Sequence, residues 1–364
     1  MLTNLTEISP IGLGTGTGFR KVDEKTDLEL THLLQRALDL GISLIDTAEI
    51  YFDGHAEELI GKVFKKNREK IYIATKFSPE HSGYKDVLEA AGGSLGRLKT
   101  DYIDLYQVHW PNPTIPIEDT LKALEKLVKD GKVRHIGVCN FSLRQLKDIQ
   151  KKSRLPILSL QTEYNLLERS IEKELLPYCQ KNNITTIAYT PLNSGNILKD
   201  KKYLKVLTRL SKKYKKSVSQ IILNFLISHP GVVAIPATTN LEHLEENAKS
   251  IEFTLEEKDI QLIAKTFASK LMDIDTSEIK VASLEDHAAY KTVEEALANK
   301  LNFFPSPESL SNDIKKGDFL KPVKLKVLKK DANFKYELIG GRIRFWAWVI
   351  AFNGKKPIPA IIEN

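Results

Sequence analysis

Cysteine is nearly missing from this 364-residue chain, where Cys139 and Cys179 stand alone. Two thiols cannot build a disulfide framework, so a buried core has to hold the fold. The start, Met1–Thr6, offers neither a basic n-region nor an apolar h-region, and no secretion leader is expected. Long apolar runs are missing as well. The most apolar late run, Phe345–Phe352, falls well short of the roughly 20 residues needed to cross a bilayer. A soluble, cytoplasmic protein with no membrane partner is the expectation. No Gly-x-Gly-x-x-Gly opens the chain, which removes the usual signature of a Rossmann dinucleotide fold. Charge is only mildly unbalanced, with 54 Lys and Arg against 47 Asp and Glu, or +7. That balance favours anionic partners such as nucleotides, and nucleic acid less so. The Lys-rich stretch Lys199–Lys216 flanks Leu204, Leu207 and Leu210 at helical spacing, so it reads as a solvated helix face.

What is present is ordinary globular composition, 42% hydrophobic and 28% charged, in a length that suits one large domain plus a small one. Strand-like runs alternate with helical patterns. Ile11–Gly14 precedes Leu28–Leu40, Ser43–Asp46 precedes Glu57–Phe64, and Ile71–Lys76 precedes Asp86–Leu98. Ile103–His109 precedes Ile117–Lys129, and Val133–Val138 precedes Leu143–Lys152. Leu158–Gln161 precedes Ile171–Asn182, Thr185–Tyr189 precedes Tyr203–Tyr214 and Ser219–Ile227, and Val232–Ile235 precedes Leu241–Ala248. Short apolar strands without polar alternation are what a fully covered parallel sheet requires. Eight such units predict an α/β fold, a (β/α)8 TIM barrel over residues 1–270. In such a barrel the active site lies where strands end and loops begin.

Over residues 271–364 the pattern changes to a small α+β domain. Ser306 can cap a helix with Pro307 at its first position and Gly317 at its end. Val323, Leu325 and Val327 alternate with lysines, and Phe334, Tyr336 and Leu338 alternate in a return strand, which predicts a hairpin. A helix from about Arg342 and a last strand, Ile358–Ile362, follow. Glu285–Lys300 looks helical, and 271–304 otherwise carries no clear pattern.

Four titratable side chains converge on one mouth of the predicted barrel. Asp46 ends the second strand, Tyr51 follows in its loop, Lys76 ends the third strand and His109 ends the fourth. Singly, each has a plain structural reading: a snorkelling lysine, a capping aspartate, a satisfied histidine. Their joint appearance at strand ends points to a catalytic group instead.

Ile45–Tyr51, Ala74–Lys76 and Asp101–His109 resemble the signatures of the aldo-keto reductase family. So do Gly12–Thr15, Gly131–Phe141 and Gln161–Asn165, and the similarity runs in order over about residues 8–265. The resemblance implies reduction of an aldehyde or ketone by NADPH or NADH, with Tyr51, Asp46, Lys76 and His109 as the catalytic tetrad and no metal. Hydride arriving at a carbonyl carbon leaves negative charge on oxygen, which needs a proton. Tyr51 would give it, Lys76 would lower the phenol's pKa, Asp46 would hold Lys76, and His109 would orient the small carbonyl substrate. For the cofactor the resemblance implies Asn140 and Gln161 on the carboxamide, and Tyr189, Pro191 and Leu192 around the nicotinamide. Ala237 and Thr238 would meet the adenosine phosphates, with Glu246 and Asn247 on the adenine side. Basic residues common in NADP-dependent relatives are replaced here by Ala237, Thr238, Thr239 and His243, so the NADPH or NADH preference stays open. Cys139 stands where a Ser often occurs and reads as a small buried thiol.

The order helix, hairpin, Gly340-Gly341-Arg342-Ile343-Arg344, helix, last strand resembles the ParB/sulfiredoxin core. That implies a phosphate or nucleotide site at Gly340, Gly341, Arg342 and Arg344, although Arg342 stands at the acid position of the motif. The alternative to an enzyme is a non-catalytic nicotinamide redox sensor controlling a ParB-like nucleotide- or DNA-binding module.

Overall fold

The computed structural model describes residues 5, 8–16, 23–199, 201–268, 271–281, 290–318, 321–328, 331 and 333–363. The chain divides into two compact units. Met1–Phe141 with Gln145–Phe267 forms the first, and Ser142–Arg144 with Ala268–Asn364 the second.

The first unit is built on eight parallel strands in sequence order: β1 (Leu13–Gly14), β2 (Leu44–Asp46), β3 (Tyr72–Phe77), β4 (Ile103–Val108), β5 (Val133–Cys139), β6 (Ile157–Glu163), β7 (Thr185–Tyr189) and β8 (Val232–Ala234). An Ile11–Ala234 parallel bridge and the bond from Gly12 N to Ala234 O (2.9 Å) join the last strand to the first and close the barrel. The covering helices are α1 (Glu24–Asp39), α2 (His55–Phe64), α3 (Tyr84–Leu98), α4 (Ile117–Lys129), α5 (Leu143–Lys152), α6 (Leu175–Lys181), α7 (Lys201–Tyr214), α8 (Val218–Ile227), α9 (Leu241–Ala248) and α10 (Glu257–Thr266). The predicted barrel is therefore present.

Strand alternation sorts the side chains into two cores. Leu44, Tyr72, Ala74, Leu105, Ile187 and Val233 fill the barrel interior. Ile45, Ile73, Phe77, Tyr106 and Val108 face outward and pack with the helix layer. Continuing the inner rows from Leu44, Ala74 and Leu105 brings Asp46, Lys76 and His109 to the upper end of the lumen. Gly12 and Gly14 are close-packing glycines, since a Cβ would come within 3.0 Å of Ile235 and Leu44 atoms at the former and of Ile235 O at the latter.

Among the described residues the second unit has a five-stranded sheet and three α-helices: β9 (Leu271–Ile274), β10 (Ile279–Lys280), α11 (Val293–Leu297), α12 (Pro307–Lys315), β11 (Val323–Val327), β12 (Tyr336–Gly340), α13 (Arg342–Phe352) and β13 (Ile358–Glu363). The sheet order is β10-β12-β11-β13-β9. The predicted hairpin is present as antiparallel β11 and β12, and Ser306 caps α12 by accepting from Ser309 N (3.1 Å). Val323, Leu325, Leu338, Phe345, Trp346, Trp348, Ile358 and Ala360 form its core. The stretch 271–304 differs from its reading. It supplies both outer strands, and among the described residues α-helix is found only over Val293–Leu297, with one 3-10 turn at Thr276–Glu278. Residues 285–289 of the expected Glu285–Lys300 helix lie outside the described set. Strands this short carry too few alternations to be read from sequence.

No helix among the described residues is long and apolar enough to cross a membrane.

Candidate active site

Lys76, near the end of β3, is completely buried, and burial alone would drive its ammonium to lose a proton. Two acceptors prevent that. Nζ donates to Asp46 Oδ2 (2.8 Å) and to Thr47 O (2.7 Å), and Asp46 holds the amine above the ordinary lysine value. The other Asp46 oxygen, Oδ1, accepts from Gln161 Nε2 (2.7 Å), so both carboxylate oxygens are in use. The carboxylate and the ammonium therefore have fixed places across three strand ends.

Tyr51 sits in the turn after β2, with Lys76 Nζ 5.1 Å from its ring centroid. The turn is built from three successive left-handed residues, Phe52 (φ 55°), Asp53 (φ 54°) and Gly54 (φ 88°). Left-handed backbone costs a non-glycine residue roughly 1–2 kcal/mol, so neighbouring bonds have to hold this turn. Tyr51 N donates to Ala48 O (3.0 Å) and His55 N to Phe52 O (3.0 Å). Gly16 leaves room for the phenol, since a Cβ there would come within 2.9 Å of Tyr51 Cζ. Sequence reasoning missed Gly16; only the backbone path shows its role.

The expected lowering by Lys76 is present but is outweighed. Burial raises the Tyr51 phenol above its ordinary value of 10, and the opposing charge of Lys76 does not reverse that. The phenol thus keeps its proton across the neutral range.

His109 follows β4 directly and is 9% exposed. Burial, reinforced by the Lys76 charge, pushes it down to about 3, so the ring is neutral. Nδ1 is sealed with no hydrogen-bond partner among the described residues. A buried acceptor left unpaired is better tolerated than a buried donor, which puts the ring proton on Nε2. The rings of Tyr51 and His109 meet edge to face at 6.0 Å.

Around this centre the mouth carries amides and an aromatic ring. Asn140, left-handed at φ 62°, donates from Nδ2 to His109 O (3.1 Å) and accepts at Oδ1 from Tyr189 Oη (2.9 Å). Gln161 is buried, whereas Tyr189 and Leu192 are partly exposed and Pro191 is buried. Two amide side chains beside a half-open aromatic face suit a planar heteroaromatic carboxamide. Cys139 is fully buried, and burial pushes its thiol well up, in keeping with an inert packing residue. Farther out, Ala237 is exposed and Thr238 Oγ1 accepts from Asn240 N (3.1 Å). Asn240 in turn caps α9 by accepting from Glu242 N (2.7 Å) and His243 N (3.2 Å). Glu246 is partly buried and Asn247 buried on the same helix. Among the described residues no group of His, Cys, Asp and Glu could hold a metal ion.

The model of the Aldo/keto reductase family matches residues 10–267. The chain belongs to that family. It is 34% identical over 267 residues to methylglyoxal reductase YeaE of Escherichia coli, covering 72% of this chain and 92% of that protein. Glyoxal reductase of Bacillus subtilis is 38% identical over 251 residues, covering 68% and 86%. An aldo/keto reductase from Klebsiella pneumoniae, solved in complex with NADP and acetate, superposes with a TM-score of 0.68 at 32% identity, covering 71% of this chain and 92% of that one. This aldo-keto reductase is therefore an oxidoreductase whose barrel matches its relatives nearly end to end. The family match stops at residue 267, before the second unit's sheet begins.

In that second unit, Gly340 ends β12 and Gly341, at φ 86°, precedes α13. Arg344 Nη1 donates to Lys321 O (2.8 Å) and Pro322 O (2.9 Å), which ties α13 to the start of β11. Arg342 Nε and Nη2 are buried with no partner among the described residues. The four residues lie together, but Arg344 is engaged in a structural bond that its sequence position did not disclose.

Proposed function

We propose that the barrel reduces a small aldehyde or ketone to the alcohol with a reduced nicotinamide cofactor, and that Tyr51 delivers the proton. The observation that carries this reading is the buried Asp46–Lys76 pair, with Lys76 Nζ 5.1 Å from the Tyr51 ring centroid. Bound reduced nicotinamide supplies a hydride to the carbonyl carbon. Negative charge then grows on the carbonyl oxygen, and a neutral His109 can donate to it from Nε2 without competing as an acid. Tyr51 Oη gives up its proton to that oxygen, and Lys76 stabilises the phenolate left behind. Asp46 keeps Lys76 charged through the cycle. Asn140 and Gln161 would hold the carboxamide and Tyr189 the ring face, with Pro191 and Leu192 beside it. Ala237, Thr238, Glu246 and Asn247 would line the adenosine end. The relatives named for methylglyoxal and glyoxal make compact dicarbonyls the first substrates to try. A scan of such aldehydes with NADPH and NADH tests the reading; the absence of cofactor oxidation with every carbonyl would overturn it and favour a redox sensor.

For the second unit, Arg342 Nε and Nη2, without a hydrogen-bond partner among the described residues, support a site for a phosphorylated ligand beside Gly341. Backbone amides at a helix start, the helix dipole and a forked guanidinium all favour a phosphate. Gly340 and Gly341 would allow close approach, and Arg344 would keep Gly341 in place rather than bind. This reading extends the sequence resemblance of residues 271–364 to the ParB/sulfiredoxin core.

A further inference from the structure

The turn that carries Tyr51 needs an anchor, and the structure supplies one in a residue that the reaction itself does not use. Glu49 lies two positions before Tyr51, and its carboxylate is 8% exposed. Its backbone N donates to Lys76 O (3.1 Å). Its Oε1 accepts from Ser78 N (2.6 Å) and from His81 Nδ1 (2.7 Å). Glu49 thus stitches the Tyr51 turn to the chain at Lys76 and just beyond it, through backbone and side chain at once.

The segment it grips is itself fixed. Pro79 O accepts from Asn112 Nδ2 (2.8 Å) and from Ser82 Oγ (2.7 Å), and Ser82 O accepts from Thr120 Oγ1 (2.6 Å). Residues 78–82 are therefore held to the loop after β4 and to α4. The Tyr51 turn, by contrast, runs through two consecutive left-handed non-glycine residues, Phe52 and Asp53, that would relax if released. A strained loop is tied to an anchored one by a carboxylate.

We infer that Glu49 is a positioning residue for proton transfer: it holds the Tyr51 turn over Lys76, and its loss lets the phenol drift from the ammonium and the substrate oxygen. A small displacement is costly, because reacting atoms have to stay within about 3–3.5 Å. Glu49 touches neither substrate nor cofactor. The groups that act on the Tyr51 phenol are Lys76, Asp46 and Cys139, which Glu49→Ala leaves in place. Glutamine retains an acceptor for Ser78 N, so Glu49→Gln keeps the main stitch and loses only the negative charge of the carboxylate.

This inference rests on the proposed carbonyl reduction, so the experiment has one arm that needs no substrate. Hydrogen exchange of the full-length chain is compared for native protein, Glu49→Ala and Glu49→Gln. The expected result is faster exchange in peptides spanning 48–56 and at Ser78 in Glu49→Ala, with β5 and β6 unchanged and Glu49→Gln close to native. In methylglyoxal reduction, Glu49→Ala is expected to lose about 10- to 100-fold in kcat with KM and cofactor affinity nearly kept, and Glu49→Gln to recover most of it. Unchanged exchange at 48–56 would overturn the inference whatever the rates. Faster exchange with native kcat would overturn it too, as would a loss shared by kcat, cofactor affinity and melting temperature. A native chain inert toward every carbonyl would refute the proposed reaction, while the exchange arm would still decide whether Glu49 is the anchor.

Discussion

Lys76 Nζ and Asp46 Oδ2 face each other at 2.8 Å, with side chains 0% and 4% exposed. A buried pair of this kind is dangerous to break by halves, because an uncompensated charge stays behind. Asp46→Asn should therefore destabilise the fold by about 3–5 kcal/mol, as read by urea denaturation. Adding Lys76→Met should recover much of that stability and none of the activity. If the single variant is as stable as native protein, Lys76 is not held as a buried ammonium.

His109 gives a pH signature. Its pKa lies about 3 in the fold, against 6.5 for a free histidine, so the unfolded chain takes up a proton that the fold refuses. The contribution of neutral His109 to stability should be full above pH 6.5 and should fall as pH drops toward 3. Across pH 5–8, nitrogen-15 spectra should show one unchanging neutral ring protonated at Nε2. A His109 titration near 6.5 would contradict the burial described.

The adenosine end should discriminate weakly between cofactors. A 2′-phosphate favours charge-assisted contact with Arg or Lys. Ala237 and Thr238 offer none, and Arg36, across on α1, already pairs with Glu245 at 2.7 Å. NADH should bind within about 100-fold of NADPH, or roughly 2.7 kcal/mol. Fluorescence titration checks it, and a larger NADPH preference would show that another cation reaches the phosphate.

For the second unit, the full-length chain should melt at a higher temperature with millimolar ATP, ADP, CTP or pyrophosphate. Arg342→Ala should abolish the shift, whereas Arg344→Ala should lower the melting temperature even without ligand. No shift with any of the four would remove the phosphate site.

The clustering of the proposed site residues was legible in sequence because a barrel sends strand-end residues to one mouth. Once Asp46, Lys76 and His109 closed consecutive strands, their meeting followed from topology. What could not be read was the sum of opposing effects. The charge of Lys76 alone predicts a more acidic Tyr51, yet burial dominates and the phenol moves the other way. The role of Glu49 was equally hidden, since its partners Ser78 and His81 lie on another loop. In the second unit, alternation along β11 and β12 exposed the hairpin, while Leu271–Ile274 and Ile279–Lys280 were too brief to show themselves.

The central claim is that Tyr51 supplies the proton from a site whose cofactor contacts lie elsewhere, and Tyr51→Phe measures it most directly. Steady-state reduction of methylglyoxal with NADPH should fall by about 10²–10⁴-fold, the usual worth of a general acid. Cofactor affinity by fluorescence should stay within a few-fold of native, since Asn140, Gln161 and Tyr189 are untouched. A Tyr51→Phe variant that turns over at near-native rate would contradict the account.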